Sequence, residues 1–181
     1  MKKQFFLPVL AILSLLIVSC GDNKTDSGGD KKMDGKDNTM SNVERNKANV
    51  LKAYDAINAG NLKGFIDLCS KDIVDHDAGV NGKTYKGVDS VSANLQNFMK
   101  AFPDLKIKII QTVAEGDWVA VFNNGTGTWK GEIMGMKPTG KSFNVNDADL
   151  FKMDAQGMVS EHWPTQEFSV IATQVGMQMP K

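Results

Sequence analysis

The chain has 181 residues, with 21 lysines and arginines against 21 aspartates and glutamates, two histidines and two cysteines. That balance excludes the basic footprint of a nucleic-acid binder, and two histidines outside any ligand-spaced motif offer no metal cluster. The length allows one domain of ordinary size plus an extra segment.

The extra segment comes first. Lys2-Lys3 forms a positive n-region, Phe5 to Val18 an apolar run, and Ile17-Val18-Ser19-Cys20 a small-residue cleavage site ending on cysteine. The run is short for a membrane span. The pattern resembles a bacterial lipoprotein signal peptide over residues 1–19. The resemblance implies cleavage before Cys20, lipidation of that cysteine, and a membrane anchor holding the protein in the cell envelope, facing the periplasm or the outside. Loss of residues 1–19 leaves 19 basic and 21 acidic residues. Cys69 then has no disulfide partner, and its setting on a helical apolar face suits a small buried hydrophobe. Residues 20–40 are Gly, Asp, Asn, Lys, Ser and Thr with almost nothing apolar, the composition of a disordered tether.

The folded part spans 41–176, with 177–181 as a tail. Ser41-Asn42-Val43-Glu44 has the form of a capping box. Val43, Val50, Leu51, Tyr54 and Ile57 recur at helical spacing until Gly60. Asn61 caps a shorter helix carrying Leu62, Phe65, Ile66 and Leu68. Asp72 to Asp77 is β-branched at its centre and predicts a short strand, followed by a glycine-rich loop from Gly79 to Gly87. Val88, Val91, Leu95, Phe98, Met99 and Phe102 mark a third helix, which Pro103 ends. Strands follow at Leu105–Val113 and Trp118–Trp129, joined by a turn at Glu115-Gly116-Asp117. After a loop at 135–140, a hairpin runs from Phe143 to Phe168, and Ser169–Gly176 forms a last helical turn. Helices followed by an antiparallel sheet give an α+β domain.

The hairpin carries the candidate chemistry. One face of its first strand bears Phe143, Val145, Phe151 and Met153, but also Asp147 and Asp149. Two carboxylates on an apolar face need a partner or a function. A turn of two or four residues at Asp154-Ala155-Gln156-Gly157 sets Asp149 opposite His162, whereas a three-residue turn sets it opposite Trp163. An Asp149–His162 pair suits proton transfer to and from a ligand, and equally suits a satisfied buried ion pair. Trp163 falls on the opposite face, with Val159 and Glu161, as packing or as a stacking platform. His76 is placed at a pocket mouth or on the surface. Glu167 ends the strand as a further acid or a solvated terminus. Trp129, Met134 and Met136, with glycines 131, 135 and 140, form an apolar flap over a small ligand, or a dimer contact.

Several segments taken together resemble one family: Asp72-Ile73-Val74-Asp75-His76, Phe102-Pro103-Asp104-Leu105, Ala114-Glu115-Gly116-Asp117-Trp118-Val119, Pro138-Thr139-Gly140-Lys141, and Gly157 through Trp163. In order and spacing they resemble the SnoaL-like polyketide cyclase, or ester cyclase, family of the nuclear-transport-factor-like superfamily, over about residues 43 to 176. The resemblance implies a cone-shaped α+β barrel, about three helices packed on a curved, mostly antiparallel sheet around a deep apolar pocket, commonly as a homodimer. It also implies cofactor-independent acid–base chemistry of cyclase, isomerase or hydrolase type on a small apolar or amphipathic molecule. His162, Asp149, Glu167 and His76 are its catalytic candidates, with Glu167 where the family often has aspartate. Asp147, Phe151, Trp129, Met134 and Trp163 are the ligand-binding candidates. A non-catalytic binding lipoprotein and a dimeric interaction module are the alternatives.

Overall fold

The computed structural model describes residues 40–76 and 83–178. The signal segment 1–19, Cys20 and the tether before residue 40, residues 77–82 with the first part of the glycine-rich loop, and the last three residues lie outside the described residues.

Helix α1, Asn42–Asn58, starts where the sequence predicts: Glu44 N–H donates to Ser41 Oγ, and the Glu44 carboxylate accepts from the Ser41 backbone in return. It ends at Gly60, whose φ of 71° lets Gly60 N–H reach Ile57 O and Asn61 N–H reach Ala56 O. Asn61 then caps α2, Leu62–Ile66, through Gly64 N–H. A strand β1, Cys69–Asp75, and a two-residue strand β2, Tyr85–Lys86, precede α3, Val88–Ala101. Thus the predicted loop gives up its last residues to the sheet edge.

Four strands follow: β3, Lys106–Glu115; β4, Trp118–Thr128; β5, Ser142–Met153; and β6, Val159–Pro164. The final segment is more than one turn, forming α4, Phe168–Val175. The six-stranded sheet has the order β2-β1-β6-β5-β4-β3, antiparallel throughout except where β1 runs parallel to β6. Its inner face packs against the helices in two apolar clusters. One centres on Val50, Ile73, Val119, Val121, Phe151 and Val159. The other centres on Phe102, Trp129, Phe143, Ala172 and Val175. This is the α+β cone that the sequence implies.

The closing hairpin departs from both predicted registers. Phe151 pairs with His162 and Asp149 with Pro164, while Met153 pairs with Val159. Five residues, 154–158, separate the paired Met153 and Val159, which slips the pairing by one position relative to the Asp149–His162 alignment, and the unpaired Ser160 makes a β-bulge that slips it by one more. An even slip preserves the face, so His162 still points inward beside Asp149 as a diagonal neighbour. The bulge also brings Val159, expected beside Trp163 on the outer face, into the core at 1% exposure.

Candidate functional site

The four helices and the inner face of the sheet line a cavity of about 740 Å³ that opens to solvent. Aliphatic and aromatic side chains, including Phe65, Phe98, Phe143 and Phe168, line most of it. One pole is polar. There the inward positions of β1, β4, β5 and β6 and the middle of α1 bring together Asp75, Asn123, Asp147, Asp149, His162 and Tyr54.

The centre of this pole is an imidazole held between two carboxylates. His162 Nδ1 lies 2.7 Å from Asp75 Oδ1, and its Nε2 lies 3.2 Å from Asp149 Oδ1. Burial alone would favour the neutral ring, but the hydrogen bonds and charges of Asp149 and Asp75 outweigh it and push the pKa up to about 10. At neutral pH His162 is therefore an imidazolium that donates from both nitrogens. Its ring stacks on Phe151, centroids 4.6 Å apart, and Tyr54 meets the same phenylalanine edge-on.

Asp149 is fully engaged. Besides His162 on Oδ1, its Oδ2 accepts from the Tyr54 hydroxyl and, at 2.7 Å, from Asn123 Nδ2. Burial, then the charge of Asp149, raises the Tyr54 pKa far above the usual tyrosine range, so the phenol stays protonated and donates. Asp149 is thus an orienting anion with donors from three elements. Asp147, two residues earlier on the same face, differs: its Oδ1 accepts from Thr165 Oγ1 at 2.9 Å and from Ala148 N–H at 2.7 Å. Burial, then the nearby Asp149 charge, raises its pKa. A carboxyl whose pKa is raised in a ligand-sized cavity suits general acid–base work.

Among the sequence candidates, His162, Asp149, Asp147 and Phe151 meet in the cavity wall, and Met134 stands at its rim. Met134 and Gly135, with φ of 54° and 73°, form the tip of a two-residue turn in which Ile133 and Met136 exchange backbone hydrogen bonds. The remaining candidates lie elsewhere. His76 follows Asp75 by one residue, so strand alternation turns it to the outer face, where it stacks on Trp163 with centroids 4.4 Å apart and bonds Glu161 at 3.0 Å. His76 and Trp163 therefore decorate the outside of the sheet rather than the pocket. Trp129 is buried in the core, its Nε1 donating to Gly131 O. Glu167 does not end the strand: β6 stops at Pro164, and Glu167 is the exposed residue before α4, accepting from Ser169 Oγ.

Sequence reasoning overlooked three residues of the pole. Asp75 was signalled by alternation, since Ile73 points inward and Asp75 shares its face. Tyr54 sits one helical turn after the buried Val50, and Asn123 continues the inward series Val119 and Val121.

A family model described as SnoaL-like polyketide cyclase matches residues 48–175. The chain belongs to that family. This SnoaL-like domain resembles AclR from Streptomyces galilaeus, provisionally assigned as a hydroxylase, at 28% identity and a TM-score of 0.64, over 76% of this chain and 89% of that one. It resembles IdmH from Streptomyces antibioticus, provisionally assigned as a polyketide cyclase, at 25% identity and a TM-score of 0.60, over 72% and 98% of the two chains. It shares its fold with a SnoaL-like protein from Jannaschia sp. CCS1 at 21% identity and a TM-score of 0.68, over 81% and 100%. No curated protein matches the sequence.

Proposed function

We propose that this SnoaL-like domain captures a small amphipathic molecule and moves a proton on it without a cofactor. The observation that carries the reading is the convergence of Asp75, Asp147, Asp149 and His162 on one pole of an otherwise apolar, ligand-sized cavity. In this reading Asp147 is the proton-transferring group, removing a proton next to a carbonyl or activating water. Asp75 and Asp149 hold His162 as a fixed cation, and Tyr54 and Asn123 hold Asp149. His76 and Glu167 have no part in it, because they lie outside the cavity lining.

The test has two stages. Molecules released by denaturing natively purified protein are identified by mass spectrometry, and the captured compound is then incubated with protein in D2O. Deuterium uptake that is fast with the wild type and lost with Asp147→Asn at saturating ligand supports proton transfer. Equal uptake in both proteins rejects Asp147. A purely binding role has its own support, since both nitrogens of His162 and both oxygens of Asp149 are already engaged. Capture without any catalysed exchange is the result that role predicts.

The same proposal includes a lipid anchor at Cys20 and placement in the cell envelope, on the strength of the Ile17-Val18-Ser19-Cys20 sequence. Globomycin or Cys20→Ala should block maturation, and normal processing in either case removes the anchor. It also includes a homodimer through the outer sheet face, supported by the exposed apolar side chains Val113, Trp118 and Phe122 on β3 and β4. Light scattering should give twice the protomer mass for the wild type and the protomer mass for Phe122→Asp.

A further inference from the structure

The polar pole has an uneven supply of donors and acceptors. His162 spends both N–H groups on Asp75 and Asp149, Tyr54 spends its hydroxyl on Asp149, and Asn123 gives Asp149 an amide N–H. The strong donors of the cluster are turned into its own wall. Three carboxylates line that end of the cavity against the one imidazolium. Asp75 is 7% exposed and Asp149 9%, so water screens them little. Lys83 and Glu132, the other charged side chains among the described lining residues, are both exposed and contribute one charge of each sign. A ligand anion brought to the pole meets like charge, and a neutral carbonyl finds the cluster's strong donors already committed. An ammonium finds carboxylate charge in a weakly screened site.

We infer that the cavity is specific for a cationic amphiphile, an amine on an apolar body of a size suited to about 740 Å³, with the ammonium seated at the Asp75–Asp147–Asp149 pole. This rests on the binding half of the proposed function and is independent of whether a proton is transferred. It orders ligands by head group: ammonium, then hydroxyl, then carboxylate.

Three probes with one apolar body separate the possibilities: 2-naphthylmethylamine, 2-naphthylmethanol and 2-naphthoate. They are titrated at pH 7 into the full chain reconstituted in nanodiscs, with empty nanodiscs as the blank. The amine should bind at least about tenfold more tightly than the alcohol, with the carboxylate weakest. Asp147→Asn, checked for folding by circular dichroism, should narrow the amine-over-alcohol affinity ratio by about five- to tenfold. Because Asp75 and Asp149 are buried, most of the amine preference should persist in about 0.5 M NaCl, which screens surface charge; that measurement needs no variant. Equal affinity for amine and alcohol, a tighter carboxylate, or a preference that vanishes in salt overturns the inference while leaving small-molecule capture standing. No binding by any probe, together with no molecule released from native protein, overturns capture and this inference with it.

Discussion

Replacing His162 by glutamine removes the cation between Asp75 and Asp149 and leaves two inward-facing carboxylates without their shared partner. A folded-state pKa raised from 6.5 to about 10 places the stabilising contribution of the imidazolium fully in force below about pH 6.5 and removes it as pH rises through about 10. At about 1.4 kcal/mol per pKa unit the shift corresponds to at most about 5 kcal/mol. Breaking a buried ion pair from one side costs about 3–5 kcal/mol. A loss near 3 kcal/mol would lower the melting temperature of a domain this size by about 10 °C. Urea denaturation of the wild type and His162→Gln at half-unit steps between pH 6 and pH 11 measures the effect. Lysines and other tyrosines also titrate in the upper part of that range, but they are common to both proteins, so the difference curve isolates His162. It should be large and flat near pH 6 and shrink towards zero by pH 11. Adding Asp75→Asn to His162→Gln should recover about 1 kcal/mol or more, because the uncompensated charge goes with it. Parallel curves, or a glutamine variant as stable as the wild type at pH 7, would falsify the clamped imidazolium.

Three further outcomes follow from the packing. Tyr54→Phe leaves Asp149 with one donor fewer and should cost about 1–3 kcal/mol in urea denaturation, with the aromatic contact to Phe151 retained; a neutral effect would show that the hydroxyl does not serve Asp149. Burial, then the charge of Asp75, pushes the Cys69 thiol up to about 12, so it should resist DTNB in the native state at pH 8 and react promptly in urea. Rapid native labelling would contradict its burial. Gly131→Ala places a Cβ 2.2 Å from the Lys100 carbonyl oxygen, which is backbone, and should destabilise the domain by more than about 2 kcal/mol by thermal melting.

Sequence patterns alone outline the fold because its boundaries are local. Ser41 with Glu44, Gly60 with Asn61, and Pro103 after Phe102 each stop or start a helix through groups within four residues. The inward face of β5 is likewise legible, since alternation groups Asp147 and Asp149 with Val145 and Phe151 whatever they pair with. The register is not legible, because the turn takes one residue more than 154–157 and the bulge at Ser160, between β1 and β5, adds a second shift that the turn does not signal. The choice of His76 over Asp75 shows a different difficulty. Imidazole chemistry draws notice to His76, while the alternation from Ile73 points to its neighbour. Glu167 follows a similar course: counting along an unbroken strand carries it into the pocket, but the strand ends at Pro164 and the chain turns into α4.

The donors on Asp149 lie 95, 26 and 13 residues away in the chain, and Asp75 lies 87 residues from His162. The Tyr54–Asp149 and Asp75–His162 contacts close large loops, whose entropy opposes their formation until the elements that carry them are brought together. A chain that has collapsed without docking α1 and β1 has the apolar side chains of the cavity but not its pole. The proposed head-group discrimination would therefore require complete folding, and amine-selective binding would report on the docking of α1 and β1 where secondary structure content cannot.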